Sequence, residues 1–455
     1  GRGPGAPGGG GGGGGGGRGG GGSAPPRGWW WAPDGSQVLA VRGAGGASSL
    51  HLLDLYGGWV DVHWDRETYP YLVDVHWRGG SNALITVLRR TQQHGLVLSV
   101  DPRTGETQVH AELADARWVE PVPGTPRQLP DGRVLVGGEL AHDGFDARCL
   151  FADGSLITPP TLYVRRVAGV LPRASGSPEL IIEGTDGEPS EQHVFAVGTA
   201  LGAGAASARR LTAAPGRHTA EVGGDVLVID STIFRGAAAV LTLPSLAAPV
   251  PYHPEPVLAR VTDRRLPSAV LYPTGHVTGT RLPVLLELGA GPGHQQVVVD
   301  PAAWQARQWW ADAGFVVVSV DTRGTPGVAP SFEKVVYRRL ADVALTDQID
   351  ALHALTGKHP DLDLTRVAVR GTGLGGWLAA LALMRRPDLF RCGVARDPVL
   401  DWTDLPPAQA ERYLGSRADN ADVYEHHSVT PPATLLISSD AHLSTELAYV
   451  TRECA

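Results

Sequence analysis

Two grammars of hydrophobic and polar positions divide the chain. From Gly28 to about Val250, short apolar or alternating runs recur: Gln37 to Val41, Leu50 to Leu55, Ala83 to Leu88, Leu96 to Val100, Val134 to Val136, Leu180 to Ile182 and Val226 to Ile229. Between them lie Pro33-Asp34-Gly35, Asp101 to Gly105, Pro130-Asp131-Gly132 and Ala152-Asp153-Gly154, whose residues preset φ or tolerate positive φ as hairpin turns require. Many short strands with few helical patterns predict an all-β unit, and the repeated strand, Asp-Gly turn, strand rhythm fits a β-propeller better than a sandwich. At roughly 40–45 residues per blade, this region has room for about five blades.

After Pro251 the pattern changes. Val284 to Leu288, Phe315 to Val320 and Arg366 to Val369 read as apolar strands, and Trp304 to Ala313 as a helix. Leu345, Ile349, Leu352 and Leu355 recur at helical spacing, as do Leu374, Leu378 and Leu381. Alternating β and α elements with continuously apolar strands predict a parallel sheet covered by helices. Three segments are therefore expected: a Gly-rich tail over 1–27, a propeller-like domain over 28–250 and an α/β domain over 251–455. In the tail, Gly8 to Gly17 and Gly19 to Gly22 offer no side chains to bury and the most backbone entropy to lose, so disorder is expected there.

Composition narrows the function. Over 455 residues, 39 Lys and Arg stand against 47 Asp and Glu, a formal charge of −8 that speaks against a phosphate-backbone partner, so no nucleic acid is expected. No apolar run approaches the ~18–20 residues of a membrane span. The tail has neither the charged start nor the apolar centre of a secretory signal, so a cytoplasmic location is expected. Cys149, Cys392 and Cys454 show no C-x-x-C spacing, which predicts no zinc site, no disulfide framework and three unpaired thiols. His426-His427 has no further ligand at useful spacing, so no metal is expected and a surface loop is the simpler reading. Three successive tryptophans, Trp29 to Trp31, suit strand packing between blades.

The turn that should carry chemistry is Gly371-Thr372-Gly373-Leu374-Gly375-Gly376, between the Arg366 to Arg370 strand and a helix. In a G-x-S-x-G nucleophile elbow, glycines permit a strained turn that lifts a serine to a helix N-terminus, where backbone N–H groups stabilise an oxyanion. Here the central residue is Gly373. The same letters spell G-x-G-x-x-G, with Asp397 twenty-six residues beyond Gly371, so nucleotide binding through Gly371, Gly373 and Gly376 is a rival reading. Glycines kept for close strand-helix packing are a third. Gly289-Ala-Gly291-Pro-Gly293 reads as a loop after a strand.

The stretch Arg366 to Gly376, with Arg385-Arg-Pro-Asp-Leu-Phe390, Asp401-Trp402 and Glu411-Arg-Tyr-Leu-Gly415, resembles the catalytic domain of the prolyl oligopeptidase family. The dipeptidyl peptidase IV branch is most similar, in a degenerate, bacterial-type form. Asp321-Thr-Arg-Gly-Thr-Pro-Gly327 and Asp347-Gln348 match that family too, and Gly28 to Gly35 resembles one of its propeller segments. The resemblance implies a partial β-propeller, followed by an α/β-hydrolase domain that is incomplete at its C-terminal end, lacking the last strand and helix after Leu436, so a bare sheet face is expected there. In intact members this architecture serves a serine exopeptidase that removes Xaa-Pro or Xaa-Ala dipeptides, without a cofactor.

Residue by residue, the resemblance implies loss. Gly373 stands at the nucleophile, and Gly289 or Leu288 at an oxyanion-stabilising tyrosine. Gln409 and Tyr413 stand at two tyrosines of the proline pocket, so one wall survives. The paired glutamates that hold a substrate amine should lie shortly before Gly28, where the chain is Gly/Ser/Pro-rich. Ungapped comparison puts His442 at the triad acid, and Asp440 serves only if the loop is two residues shorter. The acid follows a strand matched by Leu435-Leu-Ile-Ser-Ser439, and the triad histidine is expected some thirty residues later. A serine-peptidase relative without turnover follows from these losses, with peptides as ligands and a homodimer through the hydrolase domain as the implied partners. The alternative is a decayed or truncated gene product without function of its own.

Overall fold

Hairpin turns form where Gly and Asp accept positive φ: Gly35, Gly105, Gly132, Gly154 and Asp153 all do so. In the computed structural model, which describes residues 28–44, 47–77, 82–141, 144–173, 177–199, 207–247, 252–439 and 443–454, these turns connect antiparallel four-stranded sheets. The first comprises β1 to β4 (Trp29–Trp31, Gln37–Ala44, Ala47–Asp54, Trp59–Asp61) and the second β5 to β8 (Tyr71–His76, Ala83–Leu88, His94–Val100, Thr107–Ala114). The third is β9 to β12 (Arg127–Gln128, Val134–Leu140, Ala147–Ala152, Ser155–Leu156) and the fourth β13 to β16 (Tyr163–Leu171, Glu179–Thr185, His193–Gly198, Ala208–Arg210). The fifth is β17 to β20 (Ala220–Gly223, Val226–Ile229, Thr232–Arg235, Ala238–Thr242).

Each sheet follows chain order, and residues of the first strand of every sheet line one cavity, the arrangement of propeller blades around a funnel. Apolar clusters join neighbouring blades. Leu39, Leu50 and Leu52 pack with Ile85 and Val87 of the next blade, and Leu135 and Leu150 with Val164 and Ile182. Among the described residues there are five such sheets, the number for which the region's length has room.

From β21 onward one seven-stranded sheet is built: β21 (Val257–Val261), β22 (Leu266–Leu271), β23 (Leu282–Leu288), β24 (Val316–Val320), β25 (Leu362–Thr372), β26 (Cys392–Arg396) and β27 (Leu435–Ser438). Its order is β21-β22-β24-β23-β25-β26-β27, antiparallel through the first two pairings and parallel thereafter. Helices α1 (Pro301–Asp312), α2 (Pro330–Lys334), α3 (Leu340–Thr356), α4 (Leu374–Arg385), α5 (Pro407–Leu414), α6 (Ala421–His427) and α7 (Leu443–Cys454) complete the domain. Fully buried strands such as Val316–Val320 explain why the sequence shows continuous apolar runs here instead of alternation.

Three expectations need correction. His427 is buried and lies at the end of α6 instead of in a surface loop, its ring stacked on Trp377 at 6.1 Å. Its Nε2 accepts from Ala341 N–H and its Nδ1 donates to Val423 O, so burial holds it neutral, with its pKa pushed down to about 4. The tryptophans of β1 split, because alternate strand residues face opposite ways. Trp30 packs against the blade core, while Trp29 and Trp31 are 56% and 49% exposed along the funnel. Finally, the sheet face expected to lie bare after Leu436 is covered, because α7 sets Val450 and Cys454 against Cys392 and Val394. The tail over 1–27, Val250 and Pro251, and Asp440 and His442 lie outside the described residues.

No described helix is long and apolar enough to cross a membrane.

Candidate active site

Strand β25 ends at Thr372, α4 begins at Leu374, and Gly373 alone makes the bend at φ 57°, ψ −118°. That conformation is costly for any residue with a Cβ. Its N–H donates to Arg396 O at 2.9 Å and its carbonyl accepts from Trp377 N–H at 2.9 Å, tying the bend to β26 and to the first turn of α4.

The neighbouring glycines have a different reason. A Cβ on Gly371 would come within 2.3 Å of the Gly375 backbone, and one on Gly375 within 2.3 Å of Leu288 O. Strand and helix therefore approach backbone to backbone. At Gly373 a Cβ would meet nothing within 4 Å. The elbow thus has an open place for a side chain, and glycine leaves that place without one.

Below the bend lies a charged brace. Arg370 donates to both Glu287 oxygens at 2.8 and 2.9 Å and to Glu446 at 3.0 Å, and Arg396 donates to the other oxygen of Glu446, which is fully buried on α7.

Gly289 follows β23, beside the start of α4. Its carbonyl accepts from Gln348 Nε2 at 3.2 Å. A Cβ here would sit 3.0 Å from Cδ and Nε2 of Gln296, so a buried carboxamide takes the space in front of Gly289. The backbone N–H groups of Gln296 and Val297 donate to Asp321 at 2.7 and 3.1 Å. Burial raises the Asp321 pKa to about 6 despite those donors. Sequence reasoning missed Gln296, which lies in a polar loop with no motif to mark it.

Gln409 and Tyr413 sit one turn apart on α5. Tyr413 is buried, edge-on to Trp118 at 5.4 Å, and burial pushes its pKa to about 12. Gln409 is half-buried, its N–H on Pro406 O. Asp397 follows β26 at φ 42°, its N–H donating to Ser438 O at 3.1 Å.

Helices α2 and α5 face the propeller through a buried ionic layer. Arg148 donates to Glu333 at 2.8 Å and Glu139 at 3.0 Å, and Lys334 to Asp115 at 2.7 Å and Glu139 at 2.6 Å. Arg90 holds Glu411 through two bonds of 2.7 Å, while Arg412 holds Glu120 and, at 2.8 Å, Gln92. Burial raises the Glu333 pKa, with Arg148 opposing; at Glu120, burial is outweighed by Arg412 and Arg148, and the pKa falls.

Arg412 and Glu120 also border the funnel, a cavity of about 790 Å³ walled by Trp29, Trp31, Trp77 and Asp74. The carboxyl of Asp74 accepts from the Val75 N–H, and burial raises its pKa to about 7. Among the described residues, no group of three or more His, Cys, Asp and Glu side chains is placed to hold a metal.

Comparison with known proteins agrees with this architecture. The sequence model described as the Prolyl oligopeptidase family matches residues 302–443, and that of the Dipeptidyl peptidase IV (DPP IV) N-terminal region matches 48–226. Dipeptidyl peptidase family member 2 of Caenorhabditis elegans is 31% identical over 176 residues, covering 37% of this chain and 21% of the relative. Dipeptidyl peptidase 8 of Homo sapiens is 34% identical over 123 residues, 27% of this chain and 14% of the relative. The aligned part thus spans about a fifth or less of these curated relatives.

The crystal structure of Porphyromonas gingivalis dipeptidyl peptidase 4 superposes with a TM-score of 0.73 at 20% identity, covering 93% of this chain and 68% of that one. A putative dipeptidyl aminopeptidase IV from Bacteroides ovatus gives 0.74 at 18%, covering 94% and 71%. At such identities the superpositions speak for the fold. The fold is a propeller-like region followed by an α/β-hydrolase domain, and over residues 48–226 and 302–443 the chain matches the prolyl oligopeptidase family, on its dipeptidyl peptidase IV-like line.

Proposed function

We propose that this chain is a non-hydrolytic relative of the serine dipeptidyl peptidases, which engages peptides without cleaving them. One observation carries the reading: the elbow keeps its backbone geometry and its open side-chain place, and the residue there is Gly373. An acyl-enzyme needs an oxygen or sulfur nucleophile at that bend, and a hydrogen atom supplies none. The surroundings support it. Gly289 brings no hydroxyl to an oxyanion, and Gln296 fills the space before it. A triad enzyme lacking one member retains at most a residual ~10³–10⁴-fold over water from binding and the oxyanion hole.

The close backbone contacts of Gly371 and Gly375 support their role in strand-helix packing over a nucleotide site, since both glycines are accounted for without a ligand. The peptide reading rests on the family's architecture and on the funnel, whose tryptophan walls and partly buried carboxylate offer stacking and hydrogen-bonding surface. Two assays test the proposal together. Incubation with Gly-Pro p-nitroanilide should release no nitroaniline above the buffer rate, and Xaa-Pro tripeptides should raise the melting temperature progressively, with the logarithm of their concentration once it exceeds Kd. Turnover, or the absence of any peptide-dependent shift, contradicts it.

A further inference from the structure

Cys392 opens β26 and Cys454 closes α7. Sixty-two positions apart in the chain, their sulfurs stand 3.5 Å from one another, and both side chains are buried. A disulfide requires the sulfurs to close to about 2.05 Å. The two sulfurs must therefore approach by about 1.5 Å. The three thiols are free, as expected, and two of them, Cys392 and Cys454, are adjacent.

We infer that Cys392 and Cys454 form a redox-responsive pair, which a small-molecule disulfide such as oxidised glutathione converts into a cross-link between α7 and the central sheet. Cys454 is the entering nucleophile. The hydrogen bond with Cys392 lowers its pKa against the effect of burial, and the same contact raises that of Cys392, so Cys454 is the one of the two that gives up its proton more readily. Its neighbours Thr451, Arg452 and Glu453 are exposed, so loosening of the last turn of α7 admits the reagent.

Cys454 gives up its proton and attacks one sulfur of the reagent, forming a mixed disulfide and releasing one thiolate, which takes up that proton. Cys392 then gives up its proton and displaces the second, forming the Cys392–Cys454 bond. The protein is oxidised by two electrons, and the reagent leaves as two thiols.

The consequence reaches the elbow. Helix α7 carries Glu446, which receives Arg370 from β25 and Arg396 from β26, and Arg396 O is the acceptor of the Gly373 N–H. The cross-link pins α7 and holds that brace under the bend. The reduced protein relies on packing and the ion pairs alone.

The test uses the full chain. After equilibration with excess oxidised glutathione, acid quenching and alkylation under denaturing conditions, mass spectrometry of the digest should show one peptide pair joined through Cys392 and Cys454, with Cys149 alkylated. The oxidised protein should melt roughly 5 °C or more above the reduced one. In C454S, the same treatment should leave the melting temperature unchanged. Recovery of Cys392 and Cys454 as alkylated thiols, or only as separate glutathione adducts, overturns the pairing. An oxidised protein that melts with the reduced one, or an oxidation shift that persists in C454S, overturns the bracing role.

Discussion

The elbow and the layer between the two domains solve opposite problems. At the elbow, side chains are absent wherever backbones meet, and the geometry stands on Gly371 and Gly375 packed against Leu288 and each other. In the interdomain layer, nine charged side chains, with Gln92, fill the space. The shape of a catalytic turn can therefore be held by packing that has no stake in the chemistry, whereas a buried ionic layer needs every partner present.

The largest effect should come from Gly375→Ala. Its Cβ would lie 2.3 Å from a carbonyl oxygen of β23, a backbone atom that cannot rotate away. Urea denaturation should show a loss of about 4 kcal/mol or more, or no folded protein at all. Second is Arg148→Met, which leaves Glu333 buried near Glu139 and Glu120 without its counter-ion. A loss of about 3–5 kcal/mol is expected. Adding Glu333→Gln should recover part of it, and a double variant no better than the single would remove the ion pair as the cause.

Asp74→Asn should act in the other direction. The folded carboxyl titrates near 7 against 3.8 for the free group, so the wild type takes up a proton on folding between those values. Its stability falls as pH rises from about 4 to 7, and the penalty is complete above 7. The variant lacks that slope. Its advantage should grow from nothing at pH 4 to about 2–4 kcal/mol at pH 8. Equal stability of both proteins at pH 8 would show that Asp74 is not held in an enclosed site.

Smallest should be Gly373→Ala, two residues from the first substitution. Open space receives the methyl group, and only the positive φ resists it. A cost of about 1–2 kcal/mol is expected. Costs of similar size at 373 and 375 would dissolve the distinction between an open place and a packed contact.

Much of this fold was legible before the structure. Strands Ala83–Leu88 and Val226–Ile229 fall where their apolar runs and flanking turns put them, and the parallel sheet announced itself through runs such as Val316–Val320. Outer blade strands were not legible: Thr107–Ala114 is largely polar or exposed, and Ala238–Thr242 is exposed throughout, so neither shows a buried pattern. The elbow was plain because its glycines are contiguous. The ionic layer was invisible because its partners are far apart in sequence, Arg148 and Glu333 by 185 positions, and Glu333-Lys334 or Glu411-Arg412 read like any solvated helix face. Gln296 carried no signal at all, since its role depends on a loop folding back over Gly289.

The central claim is that the bend between β25 and α4 presents no attacking atom. Exposure of the intact protein to a fluorophosphonate, followed by whole-protein mass spectrometry, tests it most directly. The account predicts a single unmodified mass at every reagent concentration that fully labels an active serine peptidase. A stoichiometric phosphonyl adduct, at that bend or on any other side chain, would contradict it.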